Sequence, residues 1–208
     1  GKLTVNKSLV TITADAGQTK VYGSVDPAFT YSITTGSLVP GDSFTGALTR
    51  VAGANIGSYA IEKGTLALNG NYELTFIPAN FSITPLPITV TPVADQFKYV
   101  GEVDPVLAYT ITTGALVPGD LFTGALGRNA GESIGTYAIK IGTLALSTNY
   151  TLSLAPADFK IVSPPPPVIK SFETAVGAGS NPVKVNKPAG TTSVDLLIVG
   201  LMFEKGNN

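Results

Sequence analysis

Residues 23–72 and 101–150 are one passage written twice. Gly23 aligns with Gly101 and Tyr72 with Tyr150, 78 residues apart throughout, with no gap and about two-thirds of the positions identical. Ungapped spacing over so many residues means that no turn has been lengthened or lost. The turns are therefore part of the fold, and each copy is expected to bury its own core. Extending the same register backward places Leu3–Lys7 on Phe81–Pro85, and forward places it on Phe159–Ser163. Residues 1–7 thus read as the closing strand of a preceding repeat or as a lead-in strand, and the sequence as a window on a longer array.

Composition excludes whole classes of function. Charged residues make up 13% of the chain and the formal net charge is -1, so nothing electrostatic favours nucleic acid or an anionic membrane as partner. Cysteine and histidine are both absent. Without them a Ser-His-Asp or Cys-His arrangement is impossible and the commonest metal ligands are missing. The expectation is a protein without catalytic residues or cofactors, hence not an enzyme. The longest apolar run, Leu196–Phe203, is too short to span a bilayer.

The 23 glycines and 15 prolines punctuate short stretches of period-2 alternation. In the first copy these predict strands at Val10–Thr13, Lys20–Tyr22, Phe29–Thr34, Phe44–Arg50, Ser58–Glu62, Tyr72–Phe76 and Phe81–Ile83. Asp26-Pro27, Pro40-Gly41-Asp42, Gly53 to Gly57, Gly64 and Asn69-Gly70-Asn71 supply the turns between them. No segment carries an apolar stripe at helical spacing. The fold class is all-β: two tandem compact modules, either β-grasp-like or immunoglobulin-like sandwiches, followed by the start of a third β domain. Tyr59 and Tyr137, each in an Ile-Gly-x-Tyr-Ala-Ile strand, match the tyrosine-corner position of immunoglobulin-like sandwiches. The expected boundaries are 1–7 for the lead-in, 8–84 and 85–162 for the repeats, 163–167 for a polyproline linker, and 168–208 for the first strands of a different, incomplete β-sandwich.

An ordered set of motifs runs through both copies. It comprises Tyr22-Gly23, Asp26-Pro27, Gly41-Asp42, Thr45-Gly46, Arg50, Gly53, Gly57-x-Tyr59, Gly64-Thr65-Leu66 and Asn71-Tyr72. The second copy repeats it from Asp104-Pro105 to Asn149-Tyr150 but reads Tyr99-Val100-Gly101 where the first reads Val21-Tyr22-Gly23. This set resembles the MBG domain of the YGX type over residues 3 to 162. The resemblance implies tandem building blocks of large bacterial surface proteins and adhesins, with no catalytic residues.

The duplicated polar residues are the candidate sites. Asp26, Asp42, Asp104 and Asp120 stand in turns, where a carboxylate bonds nearby backbone amides; calcium at these four is the competing reading, without an Asp-x-Asp-x-Asp run to support it. Arg50 and Arg128, the only arginines, follow identical Phe-Thr-Gly-Ala-Leu stretches with one intervening residue and are expected to bridge a turn carboxylate or carbonyls of their own module. Asn71 and Asn149 are expected to shape the turn before a tyrosine. A Lys-to-Asn isopeptide bond from Lys20 to Asn71 and from Lys98 to Asn149 is the other chemistry this pairing allows.

Beyond Val162 the pattern changes. Ser163 and four prolines form a stiff extended spacer of about 3.1 Å per residue. The strand Leu196–Phe203 is too apolar for some 40 residues to cover alone. Either the domain continues, or the strand completes the sheet of a neighbouring copy by donor-strand exchange in a filament. The expected role is a structural spacer or stalk of an extracellular, cell-surface bacterial protein, whose partners are neighbouring repeats. Glycan- or host-ligand-binding adhesin modules are the alternative; exposed aromatic residues at non-duplicated positions would favour them.

Overall fold

A computed structural model describes residues 1–166, and residues Gly1–Ser163 form one compact unit. The expected strands at 168–208, and any donor strand among them, lie outside the described residues. Alternation sets the first strand, β1 (Ser8–Ala14): Val10, Ile12 and Ala14 point inward while Thr11 and Thr13 are half-exposed. Module 1 continues with β2 (Thr19–Val21), β3 (Tyr31–Thr35), β4 (Thr49–Arg50), β5 (Gly57–Glu62), β6 (Tyr72–Ile77) and β7 (Asn80–Thr84). Module 2 repeats the series as β8 (Leu86–Pro92), β9 (Phe97–Tyr99), β10 (Tyr109–Thr113), β11 (Gly127–Arg128), β12 (Gly135–Lys140), β13 (Tyr150–Leu154) and β14 (Asp158–Val162). Among the described residues there is no helix, and the all-β expectation of two tandem modules holds.

Each module is two small mixed sheets around one core. In module 1, β1 lies between antiparallel β3 and parallel β6. The second sheet has the order β2-β7-β5-β4, with β2 parallel to β7 and the other pairs antiparallel. Val10 and Ile12 of β1, Ile61 of β5, Tyr72 of β6, and Phe81 and Ile83 of β7 meet in a single buried cluster, closed by Leu48 and Leu66 from the loops. Burying these side chains is worth about 1.5–3 kcal/mol each before the cost of ordering the chain. Module 2 reproduces the topology, with Ile88, Val90, Ile139, Phe159 and Ile161 at its centre. A one-residue connection, Pro85, joins the last strand of module 1 to the first of module 2.

One expectation changes. The predicted strand Phe44–Arg50 shrinks to Thr49–Arg50 plus an isolated bridge from Thr45 to Ala67. Gly46 interrupts it at φ 76, where a Cβ would collide with the Thr65 carbonyl; only glycine fits that left-handed turn. Residues 1–7 form no strand, and Leu3 and Val5 are exposed.

Candidate functional site: a clamp in each module and a joint between them

The duplicated arginine closes an ion cluster in each module. Arg50, at the end of β4, donates from Nε and Nη2 to the two oxygens of Asp26 at 2.7 and 3.1 Å, and Lys20 of β2 reaches the same carboxylate at 2.6 Å. The guanidinium also lies 5.0 Å from the Tyr59 ring centroid and 5.4 Å from that of Phe81, so it caps the aromatic edge of the core. In module 2, Arg128 grips Asp104 at 2.7 Å through both nitrogens and lies over Tyr137 and Phe159. A further carboxylate joins there: Glu132, where module 1 has Ala54, pairs with Arg128 and with Lys98, which is only 4% exposed. Tyr59 and Tyr137 each donate a hydroxyl bond of 2.7 Å to the carbonyl four residues upstream, Asn55 and Ser133, the geometry of a tyrosine corner.

The second duplicated acid organises a different end of the module. Tyr72 donates to Asp42 at 2.6 Å and accepts the Val39 N–H at 2.8 Å; Tyr150 does the same with Asp120 and Val117. In module 2 this end is occupied by module 1. Tyr22 donates to Asp120 at 3.0 Å and packs edge-on against Tyr150, with ring centroids 5.4 Å apart. Gly23 lies so close to the Val117 side chain that a Cβ would run into it. Asn149 completes the contact: its Oδ1 accepts the Ile56 N–H at 3.0 Å and its Nδ2 donates to Asn55 at 2.9 Å. Tyr22, Gly23, Asn55 and Ile56 thus form a plug, and Val117, Asp120, Asn149 and Tyr150 a socket.

The ion clusters fix a pH dependence. The Arg50 guanidinium holds the Asp26 carboxyl below its usual range, Arg128 and then Lys98 do so for Asp104, and Lys98 and then Arg128 do so for Glu132. Lowered carboxylates stabilise the fold above their unfolded values, about 3.9 for Asp and 4.3 for Glu, and that stability is lost as pH falls through the folded values. The slope follows the number of protons taken up on unfolding. Module 2, with two such carboxylates against one, is expected to lose stability more steeply below pH 4, the solvent-exposed Glu132 adding less than Asp104. Module-resolved urea midpoints between pH 6 and 2 measure this; equal slopes would sink it. At the joint the sign reverses: the bond from Tyr22 to Asp120 raises the phenol, so its contribution is present below about pH 10 and lost above it.

The structure brings Arg50 to Asp26 and Arg128 to Asp104, and places Asp42 and Asp120 apart from both clusters, against tyrosines. Asp26 and Asp104 accept from arginine and lysine, Asp42 from the Asn69 amide and the Tyr72 hydroxyl, and Asp120 from the Tyr150 hydroxyl. The residues of the Lys-to-Asn pairing have other partners in the structure. Lys20 and Lys98 are held by carboxylates, whereas Asn71 is exposed and Asn149 serves the joint. Sequence reasoning missed Tyr22, Asn55, Lys98 and Glu132 as contacts. The displaced aromatic, Tyr22 in one copy and Tyr99 in the other, was the signal for the joint.

The sequence model of the MBG domain (YGX type) matches the chain twice, over residues 10–82 and 88–160. No curated protein matches it. The two matched spans coincide with the two cores, the two ion clusters and the two tyrosine corners, and together they cover more than half of the sequence: the chain belongs to the MBG domain (YGX type) family.

Proposed function

We propose that this chain is a non-enzymatic, load-bearing spacer of an extracellular bacterial surface protein. MBG repeats are typical of bacterial surface proteins. The observation that carries the spacer reading is the way each module meets its neighbour. Pro85 is the covalent link that carries tension from β7 to β8, with the bonds of the joint beside it, and tension enters module 1 at Ser8. There β1 runs parallel to β6 over six registered pairs, from Ser8 with Tyr72 to Thr13 with Ile77. Pulling one parallel strand past another loads all the hydrogen bonds together, whereas an antiparallel hairpin opened from its end breaks them one at a time. Single-molecule pulling of the full chain is the test. Two discrete unfolding events are expected, each releasing roughly 3.3–3.6 Å per residue of one module; a smooth extension with no force peak would overturn the reading.

One observation favours a second reading, in which module 2 binds a sugar. A shallow groove is lined by Asp95, Phe97, Tyr99, Lys160 and Val162, with Phe97 49% exposed and edge-on to Tyr99. Module 1 has Gly17, Thr19, Val21, Ser82 and Thr84 at these places. Every lining residue differs in copies that are otherwise about two-thirds identical, and an exposed ring flanked by an acid and an amine suits a pyranose face and its hydroxyls. Shifts of the Phe97 and Tyr99 ring resonances in an oligosaccharide panel would support it, and their absence would remove it.

A further inference from the structure

We infer that the leading end of module 1 is a second socket, built to receive the Tyr-Gly plug of another copy of the same module. The inference rests on the reading of the chain as jointed links. Its ground is that the same residues stand in both sockets while only one is filled. Asp42 accepts from Tyr72, and Val39 donates to that tyrosine, as Asp120, Tyr150 and Val117 do in module 2. In module 2, where the plug is seated, Asn149 is 8% exposed and Val117 half-buried; in module 1 Asn71 is exposed and Val39 is 61% exposed. Asn69 donates from Nδ2 to Asp42 Oδ1, and Tyr72 donates to Asp42 Oδ2. Asp120 Oδ2 takes Tyr150 and Tyr22 together, so Asp42 Oδ2 has room for the same second donor.

The corresponding surface of module 2 lacks the plug residues. Val100 stands where module 1 has Tyr22, and Ser133 where it has Asn55; among the described residues a Cβ at Gly101 would meet no neighbour, and Ile134 is exposed. Module 2 therefore cannot make the phenol–carboxylate bond or the amide bond of this joint. The surface is directional: it accepts a module carrying Tyr-Gly ahead of it and not one carrying Val-Gly.

The test is a chain in which residues 1–85 are followed by residues 8–208, which places an added module 1 before the native one with Pro85 in register. Contacts in nuclear Overhauser spectra between the added Tyr22 ring and the native Tyr72 ring, and between the added Gly23 and the native Val39 methyls, are expected, with rotational correlation times shared by all modules. Tyr22→Val in the added copy, which copies Val100, is expected to abolish both, as is Asp42→Ala in the native copy. An added module that keeps its own core signals but tumbles independently would overturn the inference, and so would a joint indifferent to Tyr22→Val. Neither failure touches the force response of single modules, which tests the spacer reading separately.

Discussion

Phe81→Ala is expected to cost module 1 about 3–5 kcal/mol while leaving the core of module 2 intact. Phe81 is fully buried, packs edge-on against Phe29 at 5.1 Å and lies beneath the Arg50 guanidinium. It belongs to β7, whose neighbours are β2 and β5, so no third sheet can collapse into the space it leaves. For a module of this length, total stability is only about 4–12 kcal/mol at the usual 0.05–0.15 kcal/mol per residue. One ring is thus a large share of it, and each kcal/mol moves the midpoint by about 4–8 °C. Calorimetry should then resolve two transitions, the lower belonging to module 1, and residue-resolved denaturation by NMR should assign them. Module 2 should shift only by what the joint supplied. If both modules lose stability equally, they fold as one cooperative unit and the division into two cores is energetically empty.

Legibility in the sequence followed the range of the interactions. Alternation in Val10 to Thr13 and the turn chemistry around Asp26-Pro27 are local, so strands and connections could be placed from the letters alone. Doubling of the passage supplied the module boundaries. Gly46 already limited this: a strand was drawn through it because its neighbours alternate, whereas its φ of 76 follows from a close approach to Thr65. The joint was harder. Asn71 and Asn149 are the same letter in the same turn, yet one is exposed and the other buried against Asn55 and Ile56. That difference arises from how one rigid body meets the next, and no periodicity encodes it. Tyr22 looked like an aromatic slipped by one position. It is instead the residue just past β2 that packs on both cores at once, 98 positions from the acid it binds.

Arg128→Ala is expected to be the most damaging change to a polar residue, at about 1.5–3 kcal/mol, and more costly than Arg50→Ala. Arg128 donates to Asp104 twice, to Glu132, and to the carbonyls of Asn129 and Gly131; Arg50 serves only Asp26 and the Val51 carbonyl. Its loss leaves Lys98 alone between two carboxylates and uncovers the rings of Tyr137 and Phe159. Arg128→Lys is expected to restore only part of the stability, because an ammonium is a point donor and cannot grip Asp104 with a planar fork while lying flat over two rings. Urea midpoints of module 2 for the three variants measure this. A cost below about 1 kcal/mol would class the cluster with ordinary surface pairs. A full cost would make the arginine the link between the turn at Asp104 and the core at Phe159, which explains why one such residue stands in each copy of a chain that has no other arginine.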